Sequence, residues 1–173
     1  KKKKRTGLKI FLGFLFTLFI LVGGVLVYAS TFMLGGLKTT TITQDKTELG
    51  ITEQAQAQTE EAEGITNIAL FGLDTREGDT QSHSDCMMIV TVDNTRGKIK
   101  LISLMRDSLV NIDGHGEDKL NAAYFLGGPS LAIRTINENF GTDITEYVSV
   151  NFEQLAEIID ALGGVEINVE TVA

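Results

Sequence analysis

Asn67-Ile-Ala-Leu-Phe-Gly-Leu-Asp74-Thr-Arg76, then a polar loop, then Ser84-Asp85-Cys-Met-Met-Ile-Val-Thr-Val92, and finally Lys98-Ile-Lys-Leu-Ile-Ser-Leu-Met-Arg106-Asp107 decide how this chain folds. Short apolar runs rich in Ile, Val, Leu and Phe and bounded by turn residues are buried strands. The second and third runs are joined by Asn94-Thr-Arg-Gly97, a link of hairpin length, so they pair antiparallel. Each run carries charge at one end: Asp74/Arg76, Asp85 and Arg106/Asp107. In adjacent antiparallel strands those ends meet at one sheet edge.

Downstream, Leu109–Ile112 is a further short strand, followed by a glycine-bearing loop over Asp113–Glu117. Lys119–Phe125 is a short helix closed by Gly127-Gly128. Pro129 then opens a second helix, whose apolar face is Leu131, Ile133, Ile136 and Phe140 and whose stop is Gly141. Tyr147–Val150 is a strand. Asn151 is an N-cap with Gln154 three residues on, and Leu155, Ile158, Ile159 and Leu162 give the helix behind it an apolar stripe. Val165–Val169 alternates as a half-exposed strand. Strands and helices interleave, so the fold class is α/β, a mixed sheet with flanking helices, over a domain spanning 65–173. It stops just after a strand with no visible closing element, which is expected of a C-terminally incomplete domain.

Upstream, 1–9 is a basic tail and 10–34 is uncharged and apolar, long enough for a transmembrane helix and longer than the apolar core of a cleaved signal peptide. The flanking positive charge places the N-terminus in the cytoplasm and the remainder outside. The segment 35–64, rich in Thr, Gln and Glu, is expected to be an extracellular stalk, helical from Thr52 to Glu63.

Beyond the tail there are 9 basic against 23 acidic side chains, which argues against a nucleic-acid partner. Two histidines and one cysteine argue against the usual His/Cys zinc site. Cys86, inside an apolar run, is expected to be a small buried hydrophobe. Asp74 and Asp85 flank a polar loop; they either hold a hard cation such as Mg²⁺ or serve as turn formers. Arg106, at a strand end, either makes bidentate phosphate contacts or pairs with Asp107 or Asp74. His83 and His115 lie in loops. Tyr124, Met87 and Met88 suit a core or a pocket wall, and Asn121 suits a ligand contact or a cap.

Gly72-Leu-Asp74-Thr-Arg76, Ser84-Asp85 before Met-Met-Ile-Val, Arg106-Asp107, Asp118-Lys-Leu-Asn121-Ala-Ala-Tyr124, Gly127-Gly128, Val150-Asn-Phe152 and Asp160-Ala-Leu-Gly-Gly164 occur in the order and spacing of the LytR-CpsA-Psr family, which this chain resembles over Ile65–Val169. The resemblance implies a Gram-positive cell-membrane phosphotransferase. Such an enzyme moves a glycopolymer, a teichoic acid or capsular polysaccharide, from a polyprenyl-pyrophosphate carrier to peptidoglycan through a phosphodiester, with the prenyl tail in an apolar tunnel. It further implies Mg²⁺ on Asp74 and Asp85, either of which could act as base, and Arg106 on the pyrophosphate. Arg76, His83, Asn121 and Tyr124 are the remaining substrate-binding expectations. A non-catalytic lipid-carrier sensor and a pyrophosphate hydrolase would use the same groups. His83, an imidazole, stands where the family often has the permanently charged guanidinium of Arg, which puts pyrophosphate contact at that position in question. Met105 stands where Pro is common, and the family's downstream arginine pair has no counterpart before Ala173.

Overall fold

Strand β1 (Ile65–Leu73) sits inside a mixed four-stranded sheet of order β3-β2-β1-β6, flanked by β2 (Ser84–Asp93) and, in parallel, by β6 (Glu146–Asn151). β3 (Lys98–Leu104) pairs antiparallel with β2 through the expected hairpin and forms an edge. The computed structural model describes residues 3–34, 40–75 and 82–167. The chain divides into two units, Lys1–Thr41 and Ile42–Ala173. The first contains α1 (Lys3–Leu34), whose window Phe11–Tyr28 has mean hydropathy 2.5, long and apolar enough to cross a membrane.

In the second unit the sheet shows two unlike faces. On one, Phe71 faces Met87 and Ala69 faces Ile89, and all four are buried together with Ala132, Ile133 and Ile136 of α3 (Leu120–Phe140). Each large apolar side chain buried there contributes about 1.5–3 kcal/mol. On the other face Ile99, Leu101 and Val148 are exposed. α4 (Phe152–Ala161) has the expected capping box, Asn151 accepting from Gln154 N at 2.8 Å while Gln154 Oε1 accepts from Asn151 N at 3.0 Å. Its apolar stripe, however, buries no residue among those described.

The two helices expected around Gly127-Gly128 are both present within α3, separated by a kink at which Gly127 and Gly128 leave the helical conformation. Gly128 has φ 66°, a left-handed conformation that costs glycine little, and Pro129 restarts the helix.

Four expectations are corrected. The segment assigned to a stalk is part of the folded unit from Ile42 onward. Leu49 is fully buried, and buried Asn137 donates from Nδ2 to the Leu49 carbonyl at 2.8 Å and to the Ile144 carbonyl at 2.9 Å. Its Oδ1 accepts from Ile144 N and Thr142 Oγ1, so a buried amide with its polar atoms matched pins the early segment to the core. Within this segment α2 (Glu53–Glu61) is helical, as expected, with Thr52 as its cap. The loop expected over Asp113–Glu117 is shorter, because Gly116–Lys119 is strand β5, paired antiparallel with β4 (Leu109–Ile112). The strand expected at Val165–Val169 is not formed over Val165–Ile167, its described part. Cys86 is exposed, because it belongs to the sheet face that α3 does not cover.

Candidate functional site

The register brings the charged strand ends together. Leu73 pairs with Ser84, and Met87 pairs with Leu104, so the C-terminal ends of β1 and β3 and the N-terminal end of β2 lie at one edge. β6 runs parallel to β1, with Asn151 opposite Leu73, which brings the N-terminus of α4 to the same edge. The meeting of the first three strand ends was expected from the sequence; the arrival of α4 at the same edge was not, since β6 reaches β1 only after the long α3 connection.

The pairing steps from Gly72↔Cys86 to Leu73↔Ser84, leaving Asp85 as the extra residue of a β-bulge. A bulge bends the strand and redirects the side chain it carries. Gly72 makes that bulge possible, because a Cβ there would lie 2.7 Å from the Cys86 Cβ. Glycine within a strand was the available signal.

Arg106 Nη1 donates to Asp85 Oδ1 at 2.6 Å, and its Nε lies 3.7 Å from Asp107 Oδ2. Of the two readings of Arg106, ion pairing is therefore present, chiefly with Asp85 rather than with Asp107 or Asp74. Asp107 Oδ1 in turn lies 2.7 Å from Lys119 Nζ, and that bond, ahead of the two cations' charge, holds its carboxyl below the usual range. Arg106 and Asp85 remain about half exposed, which leaves part of the guanidinium accessible from solvent. Asp74 is exposed, and its backbone N–H donates to the His83 carbonyl at 3.2 Å, tying the two aspartate-bearing strand ends together. The His83 ring stacks on Phe125 of α3 with centroids 4.5 Å apart and planes 4° from parallel.

Asn121 lies in the first turn of α3, and its N–H donates to the Arg106 carbonyl at 3.1 Å. Tyr124 faces the core, edge-on to Phe71 at 5.1 Å; burial raises its hydroxyl pKa against a hydrogen bond with Ser149. Met87 is core, whereas Met88 faces the uncovered side. His115 is exposed in the β4–β5 turn. Arg76 lies outside the described residues.

Beside this edge is a cavity of about 260 Å³, lined by Leu70, Gly72, Cys86, Val150, Phe152 and Leu155, with Asp85 also in its wall. The exposed Cys86 and the unburied Leu155 thus have a place, as walls of an apolar recess next to paired charges.

Among the described residues no three His, Cys, Asp or Glu side chains group as a metal cage. Mg²⁺ does not need one, since it takes one or two carboxylates and completes its shell with water and phosphate oxygens. Asp85 bonds to Arg106 through one oxygen, Oδ1, so the chemistry of the Asp74/Asp85 pair fits that ion.

An α/β domain with a carboxylate–guanidinium edge beside an apolar recess sets charge next to apolar surface, an arrangement able to take a ligand with a charged head and an apolar tail. The chain belongs to the LytR_cpsA_psr family, whose model matches residues 30–173. It is 41% identical over 108 residues to the polyisoprenyl-teichoic acid–peptidoglycan teichoic acid transferase TagU of Oceanobacillus iheyensis, covering 59% of this chain and 33% of that protein. It is 40% identical over 110 residues to the regulatory protein MsrR of Staphylococcus aureus, covering 62% and 33%. The chain therefore spans about a third of the length of these curated relatives. Among solved structures, YwtF (TagT) with bound octaprenyl pyrophosphate lipid is similar at a TM-score of 0.56 and 30% identity, covering 64% of this chain and 43% of that one. TagT bound to LIIa-WTA is similar at 0.55 and 30%, covering 64% and 41%.

Proposed function

We propose that the protein is a membrane-anchored phosphotransferase that accepts a glycopolymer on a polyprenyl-pyrophosphate carrier and passes it to peptidoglycan as a phosphodiester. A teichoic acid is the favoured polymer, since relatives bear that name. The observation that carries the reading is the meeting of Asp85 and Arg106 at a bulged strand edge beside an apolar cavity. α1 would hold the domain at the bilayer, with the basic tail in the cytoplasm and the site outside a Gram-positive cell.

The pyrophosphate sits at the edge and the first part of the prenyl chain enters the recess. As the phosphoanhydride breaks, negative charge grows on the leaving phosphate, and the Arg106 guanidinium is a fixed positive charge that meets it without reorganising. The acceptor is a peptidoglycan sugar hydroxyl, whose proton passes to a carboxylate, Asp74 or Asp85. Mg²⁺ held by Asp74 and Asp85 would add further charge to the phosphates and align them.

The test is transfer from a teichoic acid–polyprenyl pyrophosphate donor to peptidoglycan by the full-length protein, with Mg²⁺ present and chelated. Formation of a phosphodiester-linked product supports the transferase. Release of free polymer phosphate instead identifies a hydrolase, and tight binding with neither product identifies a carrier sensor.

A further inference from the structure

Four charged side chains run in line across the edge: Asp85, Arg106, Asp107 and Lys119. Only their middle contact is loose. The 3.7 Å between Arg106 Nε and Asp107 Oδ2 is too long for a hydrogen bond, whereas the outer contacts measure 2.6 and 2.7 Å. Asp107 is nonetheless Arg106's neighbour in the chain and competes with Asp85 for its guanidinium. A bare carboxylate there would draw the guanidinium out of the edge. Lys119 occupies the Asp107 Oδ1 oxygen, and its own position is fixed independently. It pairs with Leu109 across β4–β5, and the next two amides, Leu120 N and Asn121 N, donate to the carbonyls of Ser108 and Arg106 at 2.9 and 3.1 Å. The end of β5 is therefore fastened to the turn that bears Arg106.

We propose that Lys119 is a positioning residue which, by engaging Asp107, keeps the Arg106 guanidinium directed at Asp85 and at the phosphates of the lipid carrier. This rests on the reading that pyrophosphate binds at this edge. The role belongs to the pair: the charge on Lys119 matters only while Asp107 is charged.

The test is calorimetric binding of farnesyl pyrophosphate to the full chain in detergent, with Arg106→Ala as control. Lys119→Met weakens affinity by about fivefold, the scale of an exposed ion pair. Lys119→Arg stays near wild type, and the double variant Lys119→Met/Asp107→Asn recovers, because the competing carboxylate is gone. A double variant as weak as Lys119→Met overturns the proposal and makes Lys119 a direct anion contact; an unchanged Lys119→Met overturns it as well. Unaltered binding by Arg106→Ala, or no binding by the wild type, sinks instead the reading that phosphate sits here. The positioning claim is then decided by the Arg106 Nε–H resonance, which Lys119→Met shifts and the double variant restores; a resonance that stays put overturns it.

Discussion

β2 carries an aspartate paired with an arginine at each end, and the two pairs are built differently. At its C-terminal end Asp93 is buried and its carboxylate is saturated locally. It accepts from Thr95 N, Thr95 Oγ1 and Arg96 N at 3.1, 2.6 and 3.0 Å, and from Arg96 Nη1 at 3.1 Å. Those donors, the Thr95 hydroxyl foremost, drive its pKa far below the carboxylate range. At the N-terminal end Asp85 is a bulged, partly exposed residue bonded to an arginine 21 positions away. An aspartate whose lone pairs are consumed by its own turn is structural. One held by a single long-range cation, beside a cavity, keeps capacity for a ligand.

The comparison breaks most visibly at Arg106. Arg106→Ala is expected to lower transfer by at least about 100-fold, as for loss of a charge that meets the transition state, while its melting temperature stays close to wild type because the side chain is half exposed. A mutant that no longer melts cooperatively would return Arg106 to the structural class. Gly72→Ala comes next: its Cβ collides with Cys86, costing about 1–3 kcal/mol by denaturant titration, and the displaced bulge weakens lipid binding in the remaining folded protein. Asp93→Ala should do the reverse of Arg106→Ala, lowering the melting temperature by roughly 5 °C through loss of its turn and leaving ligand affinity unchanged.

The same contrast has a pH signature. The folded-state pKa of Asp93 is depressed, as is that of Asp107, so the stability they contribute is complete above the ordinary carboxylate range. It is lost as pH falls below about 4, where the unfolded chain takes up protons first. A melting curve against pH for Asp93→Asn should be flatter in that window than the wild type's. The smallest expected change is Asn151→Ala, which removes the α4 cap and costs about 1 kcal/mol.

Much of this was legible in the chain itself, for local reasons. The three strands and their charged ends follow from short apolar runs, the β2–β3 hairpin from Asn94–Gly97, the bend in α3 from Gly-Gly-Pro, and the α4 cap from Asn151 and Gln154. What could not be read depends on contacts distant in sequence. Leu49 is one leucine in a polar stretch, and its place in the core depends on packing and on a hydrogen bond from Asn137, 88 residues away. The exposure of Cys86 depends on which sheet face α3 covers, and the Lys119–Asp107 pair depends on β4–β5 register. The identity of Asp85 as a bulged residue emerges only once β1 and β2 are aligned.

The most direct test is binding of a polyprenyl pyrophosphate to the full-length protein, measured with and without Mg²⁺ for wild type, Asp85→Asn, Arg106→Ala and Asp93→Asn. The account predicts binding strengthened by Mg²⁺ that is lost in the first two variants and retained in the third. Binding that survives in Arg106→Ala and Asp85→Asn but fails in Asp93→Asn would place the ligand at the other end of β2 and contradict it.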